Sequence, residues 1–452
     1  MNSIFYMAAF LLAIGILIVV HEFGHYLAAR LCGVRVLRFS LGFGPALWTR
    51  IAGKDRTEWT LSAVPLGGYV KMLDEREASV DAHELHRAFN TQSLLKRCFI
   101  VAAGPVFNLL LAVAIYWGIA CVGGRDMGPQ LGRIVAGSPA AQAGLLEGDM
   151  ILRFGERDTR GWSDLRWAVM RNALRTDEVT VTVRHADGGL DDVRLALSGV
   201  KIEEKAADPM QQLGLSIRPT LPAVLGQPLP GGAGAQAGLR AGDLVRSVDG
   251  KHVQYWHELV ELIAAAPRRP LLFSVERDGA LVNVSVTPEG VGPAPQRGLI
   301  RVPQINDEAF FVSHMTEIRY GLLAGAGYSV RHTADMAIFQ LRAMWHIATG
   351  KMSWRNISGP VSIADAAGQS AKTGVDVYLG LIAALSVSLG VLNLLPIPIL
   401  DGGHILYYVI ERIRGRALSA AAEAFSQRVG LAILALLMSL AFFNDLNRVL
   451  FG

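Results

Sequence analysis

Near residue 20 the sequence changes character: a charge-free run of Ile, Leu, Val, Ala, Phe and Met from Ile4 to Val20 stops at His21-Glu22-Phe23-Gly24-His25. If the helix implied by the run continues, His21 and His25 stand one turn apart on one face, where a single metal ion can take both imidazoles. Glu22, the next residue, is placed to act as general base on a water at that ion, which is the chemistry behind an H-E-x-x-H spacing. Five residues of pattern carry little weight alone. Their position carries more, because two imidazoles and a carboxylate at the end of an apolar span are costly unless paired or employed.

The elements that must position these residues follow from composition. Over 452 residues, 51% are hydrophobic and 18% charged, and the mean hydropathy is +0.33, which fits a polytopic α-helical membrane protein with water-soluble insertions better than a soluble chain. A net charge of +4 gives no reason to expect a nucleic-acid partner. Cys32, Cys98 and Cys121 lie close to apolar segments and include no C-x-x-C, so they read as packing residues. The first span has no basic residue before Ile4 and no small-x-small cleavage site after it, so it is expected to stay attached rather than be removed as a signal peptide. Arg30, Arg35, Arg38 and Arg50 follow it, which puts the N-terminus outside and the H-E-x-x-H end on the cytoplasmic side.

Residues 1–29 are thus a first span, and 30–97 a basic cytoplasmic loop. Within the loop, Trp59-Thr-Leu-Ser-Ala-Val-Pro-Leu-Gly-Gly-Tyr-Val-Lys-Met72 reads as two short strands around Pro65 and the turn signal Gly67-Gly68. Two readings of this hairpin stand: an ordinary surface hairpin, or one that dips into the bilayer and offers an unpaired edge to an extended peptide. His83, Glu84 and His86 have the wrong spacing for two imidazoles on one helical face and read as a solvated loop. Residues 98–124 form a second span, with Gly104 and Asn108 four apart on one face. An amide in lipid needs a partner, so Asn108 serves helix packing or stands near the site.

From about 127 to 300 the chain is punctuated by Gly and Pro and contains no spanning run. Ala141-Gln-Ala-Gly-Leu145 recurs as Ala235-Gln-Ala-Gly-Leu239, Gly148-Asp149 as Gly242-Asp243, and Trp162 as Trp256; 235 − 141, 242 − 148 and 256 − 162 all equal 94. One unit is therefore duplicated, with copies expected at 127–210 and 211–300. The string A-G-L-x-x-G-D, followed by an apolar strand, a turn and an amphipathic helix, resembles the PDZ domain. That resemblance implies grooves for peptide termini, with spacers or size filters as the alternative.

Residues 301–375 are expected to hold an amphipathic helix, from about 308 to 350, lying against the outer membrane face or against the repeat. A third span, 376–404, is interrupted by Asn393, Pro396 and Pro398 and closes on Asp401-Gly402-Gly403-His404. Prolines there should unwind the backbone, which is tolerated at membrane depth only inside protein or beside a watery cavity. Asp401 arrives at the depth of His21 and His25, where two readings stand: a cap or turn residue before Gly402-Gly403, or the carboxylate that completes a His₂Asp set with one position left for water, as a catalytic zinc requires. A loop at 405–427 and a fourth span at 428–452 finish the chain.

H-E-x-x-H on the first span, N-x-x-P-x-x-x-L-D-G on the third (Asn393, Pro396, Leu400, Asp401, Gly402) and a tandem insertion between them resemble the site-2 protease family of intramembrane zinc metalloproteases. The likeness extends over essentially the whole chain and is strongest to the Gram-negative bacterial type with tandem PDZ domains. It implies zinc on His21, His25 and Asp401, Glu22 as catalytic base, and Asn393 holding substrate or the oxyanion. It also implies a membrane-re-entrant β-hairpin that clamps substrate at Gly67, Gly68, Tyr69, Val70, Lys71 and Met72; Asn108, read from its place on the second span, is grouped with these substrate-facing residues. Its implied setting is the bacterial inner membrane, with the repeat in the periplasm and the site near the cytoplasmic face. Its implied partners are membrane lipid and single-span proteins, above all an anti-sigma factor already trimmed outside, and leftover signal peptides. Two other readings compete: a scaffold with a structural metal, which has no use for Glu22, and a metal transporter, which leaves the repeat without a purpose.

Overall fold

The structure is a computed structural model that describes residues 2–76, 79–202, 208–217, 222–292, 296–304, 315–416 and 418–451. The chain divides into two compact units: one holds Met1–Gly124, 202–206 and Arg319–Gly452, the other Arg125–Lys201 and Ala207–Ile318. In the first unit, α1 (Asn2–Leu31) is one uninterrupted helix. Thirty residues reach about 45 Å, more than the ~30 Å hydrocarbon core of a bilayer, so the helix carries its polar end past His25 without a break.

The segment read as a basic loop instead forms a sheet. Strands β1 (Val36–Ala52) and β2 (Thr57–Met72) pair along most of their length. The two halves of 59–72 expected from the sequence are present, yet they are not each other's hairpin partners. Val36–Leu41 lies between them, with Arg38 facing Glu58 on one side and Lys71 on the other. Residues 46–52 add on the far side of 57–62, which leaves Gly68–Met72 on an outer edge. Phe43, Leu47, Trp48, Ile51, Leu61 and Val64 are all exposed on this sheet. The 83–86 segment runs from a turn into a short helix at Leu85–Arg87, and Glu84 just before that helix pairs with Arg35, while Asp55 is buried between Arg30 and Arg87. These ion pairs fasten the end of α1 to the sheet. Helix α2 (Leu94–Val122) follows, with Pro105 inside it.

The second unit contains the duplication. In the first copy β3 (Met150–Phe154), β4 (Arg157–Asp158), β5 (Glu178–Arg184) and β6 (Leu190–Ala196) form a sheet in the order β4-β3-β5-β6, with helix α3 (Trp162–Ala173). The second copy repeats that order as β8-β7-β9-β10, from β7 (Leu244–Val248), β8 (Lys251–His252), β9 (Leu271–Arg277) and β10 (Ala280–Val286), with helix α4 (Trp256–Ala264). Each copy has its own apolar core, around Phe154 and Leu165 in one and Phe273 and Leu259 in the other. The boundary expected at 210 falls too early. Met210, Leu213 and Leu215 sit in the first core, and Ile300 and Val302 in the second, because each copy is closed by a late segment that pairs back to its beginning, Leu131 with Ile217 and Leu225 with Gln304.

Back in the first unit, α5 (Leu322–Ala348) is followed by α6 (Pro360–Thr373), α7 (Val375–Leu394), α8 (Asp401–Arg414) and α9 (Ala420–Phe451). Residues 305–314, the start of the region expected to hold the amphipathic helix, lie outside the described residues. Among the described residues four helices are long and apolar enough to cross a membrane: Ile4–Leu31, Leu94–Val122, Val375–Leu394 and Ala421–Arg448. The amphipathic α5 packs on two of them, through Tyr116 to Met336 and through a Gln340–Ser388 hydrogen bond of 2.7 Å. Its inward face is small and polar, with Gly325, Ser329 and Thr333 buried. The buried faces of α2 and α7 are also rich in small residues, among them Ala103, Gly104, Ala112, Ala383, Ser386 and Gly390. Close backbone approach is how helices associate where lipid supplies no hydrophobic drive. Two expectations fail here. The third span stops at Leu394, and 405–427 is mostly not a loop, because α8 runs to a left-handed cap at Gly415 and α9 begins only five residues later.

Candidate metal centre and active site

Three elements far apart in sequence bring His21, His25 and Asp401 together. The helical run of α1 supplies the two imidazoles on one face, their ring centroids 4.8 Å apart and crossed at 82°. Their Nε2 atoms lie 3.2 Å from each other. Asp401 Oδ2 is 3.2 Å from His21 Nε2 and 3.5 Å from His25 Nε2. One ligand atom from each residue therefore fits within 4.8 Å of the others, and both histidines are buried.

Asp401 is the first residue of α8, where the positive end of the helix dipole favours a carboxylate. It is delivered there by a non-helical passage, Leu395–Leu400, that the two prolines impose. Ile399 in that passage has φ of +89°, a conformation that a β-branched residue rarely adopts. The passage lies tight on the start of α8. A side chain on Gly402 would run into the carbonyls of Leu394 and Leu395, and one on Gly403 into that of Ile397. Strain and close contact at this point set where the carboxylate sits.

The α2 helix forms the wall behind the imidazoles. His25 Nδ1 donates to the carbonyl of Ile100 at 2.9 Å, Gly104 leaves room for the His25 ring that any Cβ would occupy, and Asn108 Nδ2 lies 3.1 Å from His21 Nδ1. Ile100, Gly104 and Asn108 are four apart, hence on one face. Farther along, Arg97 at the start of α2 grips Glu411 of α8 at 2.9 Å and lies over the ring of Tyr408, which ties the wall to the element bearing Asp401.

A cavity of about 570 Å³ adjoins these groups. Glu22, His25 and Asp401 line it together with Val70, Lys71 and Met72 of the β2 edge. Gly68 touches the catalytic candidate directly, since a Cβ there would come within 2.9 Å of Glu22 Cγ. Tyr69 turns instead into the sheet, stacked on Phe43 and hydrogen-bonded by Arg38, and Gly67, with φ of +123°, lies on the Phe43 ring. Asn393 is half-buried in the last turn of α7 and outside the cavity lining. Asn108, expected from its spacing to serve helix packing or stand near the site and grouped with the substrate-facing residues, is fully buried behind His21. Sequence reasoning passed over His404, which lines the cavity one turn after Asp401. The i+3 spacing from Asp401 is the signal that would have found it.

The donor set suits zinc: two imidazoles and a carboxylate, with a carboxylate base beside them and a cavity adjoining rather than a fourth protein ligand among the described residues. The match to a known family agrees with this. Residues 9–437 fit the model of peptidase family M50. The chain is 38% identical over 452 residues to the regulator of sigma-E protease RseP of Escherichia coli, covering 98% of each. It is 37% identical over 459 residues to protease RseP of Yersinia pestis, covering 99% of this chain and all of that one. It is also 39% identical over 453 residues to a candidate zinc metalloprotease of Ralstonia nicotianae, covering 98% of each. The chain belongs to peptidase family M50 and is a metallopeptidase of the RseP type of site-2 protease.

Proposed function

We propose that the protein hydrolyses a peptide bond within the transmembrane segment of single-span membrane proteins, with zinc held by His21, His25 and Asp401. The observation that carries this reading is one cavity bordered at once by Glu22, two of those ligands and the outer edge of a β-strand. Zinc in such a set supplies a Lewis acid with an open coordination position. Glu22 takes the proton from the attacking water and returns it to the leaving amine. A peptide bond in a lipid-embedded helix is shielded by its own hydrogen bonds, so the substrate must unwind before attack. The Gly68–Met72 edge offers replacement partners to the unwound strand, and the apolar side chains exposed on the same sheet suit insertion into the bilayer. Asn393 is assigned to the substrate backbone or the developing oxyanion, reached once substrate is bound.

The relatives named as regulators of sigma-E support an anti-sigma factor in the inner membrane as the substrate, cleaved within an envelope stress response, with remnant signal peptides as a second group. The two repeated modules, read as PDZ-like and periplasmic, would exclude untrimmed ectodomains or take the new peptide terminus. Reconstituting the wild-type protein with a single-span substrate and locating the new termini by mass spectrometry tests the reading. A cut inside the span is expected; cuts confined to the flanking soluble parts would refute it.

A further inference from the structure

We propose that Asn108 is a positioning residue that holds the His21 ring in the tautomer able to ligate the metal, an inference that rests on the zinc reading above. An imidazole binds a metal through a nitrogen with a free lone pair, so its other nitrogen must carry the proton and needs an acceptor for it. For His25 the acceptor is the Ile100 carbonyl, which can only accept. Its Nδ1 therefore carries the proton and its Nε2 faces the site with the lone pair.

His21 presents the same Nε2 to Asp401 and to His25. What faces its Nδ1 is the Asn108 carboxamide, 3.1 Å away and fully buried. Oriented with Nδ2 toward the ring, the amide donates to an unprotonated Nδ1, which leaves the His21 proton on Nε2 to be donated to Asp401. That suits a metal-free site. Turned over about its terminal torsion, a change that needs no extra room, the amide places Oδ1 on a protonated Nδ1 and frees Nε2. Oδ1 is buried and has no other hydrogen-bond partner, so nothing in the protein competes for the acceptor that His21 requires. The amide is anchored by its own backbone, whose carbonyl accepts from Ser386 Oγ of α7 at 2.7 Å. Both imidazoles thus lean on one face of α2, one on a carbonyl and the other on an amide.

Two substitutions separate this role from packing. Asn108→Leu keeps the volume and removes the acceptor; Asn108→Asp keeps an oxygen that accepts from Nδ1. Zinc affinity of the full-length protein in detergent is read by competition with a chromophoric chelator, beside thermal unfolding of the metal-free forms. The leucine variant is expected to bind zinc about 10- to 100-fold more weakly, and the aspartate variant within a few-fold of wild type. If leucine prevents folding, the smaller Asn108→Ala gives the same comparison. Wild-type affinity in the leucine or alanine variant would overturn the assignment, as would equal losses in the apolar and aspartate variants. A wild-type protein that takes up no zinc would instead bring down the reading on which the inference rests.

Discussion

On the proposed function Glu22 moves the proton while His21, His25 and Asp401 hold the metal, and substitutions should separate the two. Glu22→Gln leaves the metal ligands untouched and should lower cleavage by about 10²- to 10⁴-fold, the usual worth of a positioned base. Gly104→Ala probes the wall behind them, since the added methyl lands on the His25 imidazole. The expected result is zinc binding weakened on the order of 10-fold, measured by chelator competition, with the ring pushed off its Ile100 partner. Unchanged affinity would mean that α2 yields at this point. The clustering of His21, His25 and Asp401 was legible in the sequence because helical spacing fixes what two histidines four apart can share, and because the N-x-x-P-x-x-x-L-D-G string, rather than Asp401 by itself, paired the third span with the first. The environment of Asn108 was not legible: residue spacing puts an amide on a face but does not say which side chain it meets.

At the scale of elements, the β2 edge and the passage before α8 are what the site depends on. Proline placed singly at Tyr69, Val70 and Lys71 tests the edge, because it deletes one N–H each time. Where that N–H points away from β1, the loss should be one hydrogen bond to substrate, about 1 kcal/mol or roughly 5-fold in cleavage rate, with normal protein yield. Where it points toward β1, the yield itself should fall. Full cleavage by all three variants would remove this strand from substrate binding. The sequence announced residues 59–72 as two short strands but concealed β1. Gly42, Gly44, Pro45 and two arginines break the apolar pattern of 36–52, and only the pairing with both halves of β2 makes a sheet of it. The helix α8 was concealed for a related reason: Gly402-Gly403 reads as a turn, whereas here the glycines admit the close passage of residues 394–397.

Across the whole molecule, the register of 94 residues made the duplication readable by hand, and both copies keep the aspartate that ends the repeated string. Its partner differs. Asp243 is held by Arg277 at 2.7 Å, and Asp149 by His185 at 2.8 Å. The Asp149 carboxylate raises the His185 pKa above its ordinary value of 6.5. A raised histidine stabilises the folded state fully below its unfolded pKa and loses that contribution as pH climbs through the folded value. Hydrogen exchange between pH 6 and 9 should therefore show the first copy loosening near β3 while the second, with its permanent cation, stays as it was. Equal response of both copies would contradict this. The filter role is tested by excising 125–318, which removes the whole second unit together with residues 202–206 of the first, rather than the 127–300 that the repeat alone suggests. The flanking ends lie side by side, Tyr320 donating to the carbonyl of Ala120 at 2.9 Å, so a short linker can close the gap. Untrimmed substrate should then be cut; if it stays intact, the modules do not act by exclusion. The most direct measurement is zinc content and substrate cleavage in parallel for wild type, Glu22→Gln and Asp401→Ala. Zinc should be retained and cleavage abolished in the first variant, and both lost in the second. Cleavage by Glu22→Gln at the wild-type rate, or full zinc occupancy in Asp401→Ala, would contradict a hydrolytic centre built from the two ends of the chain.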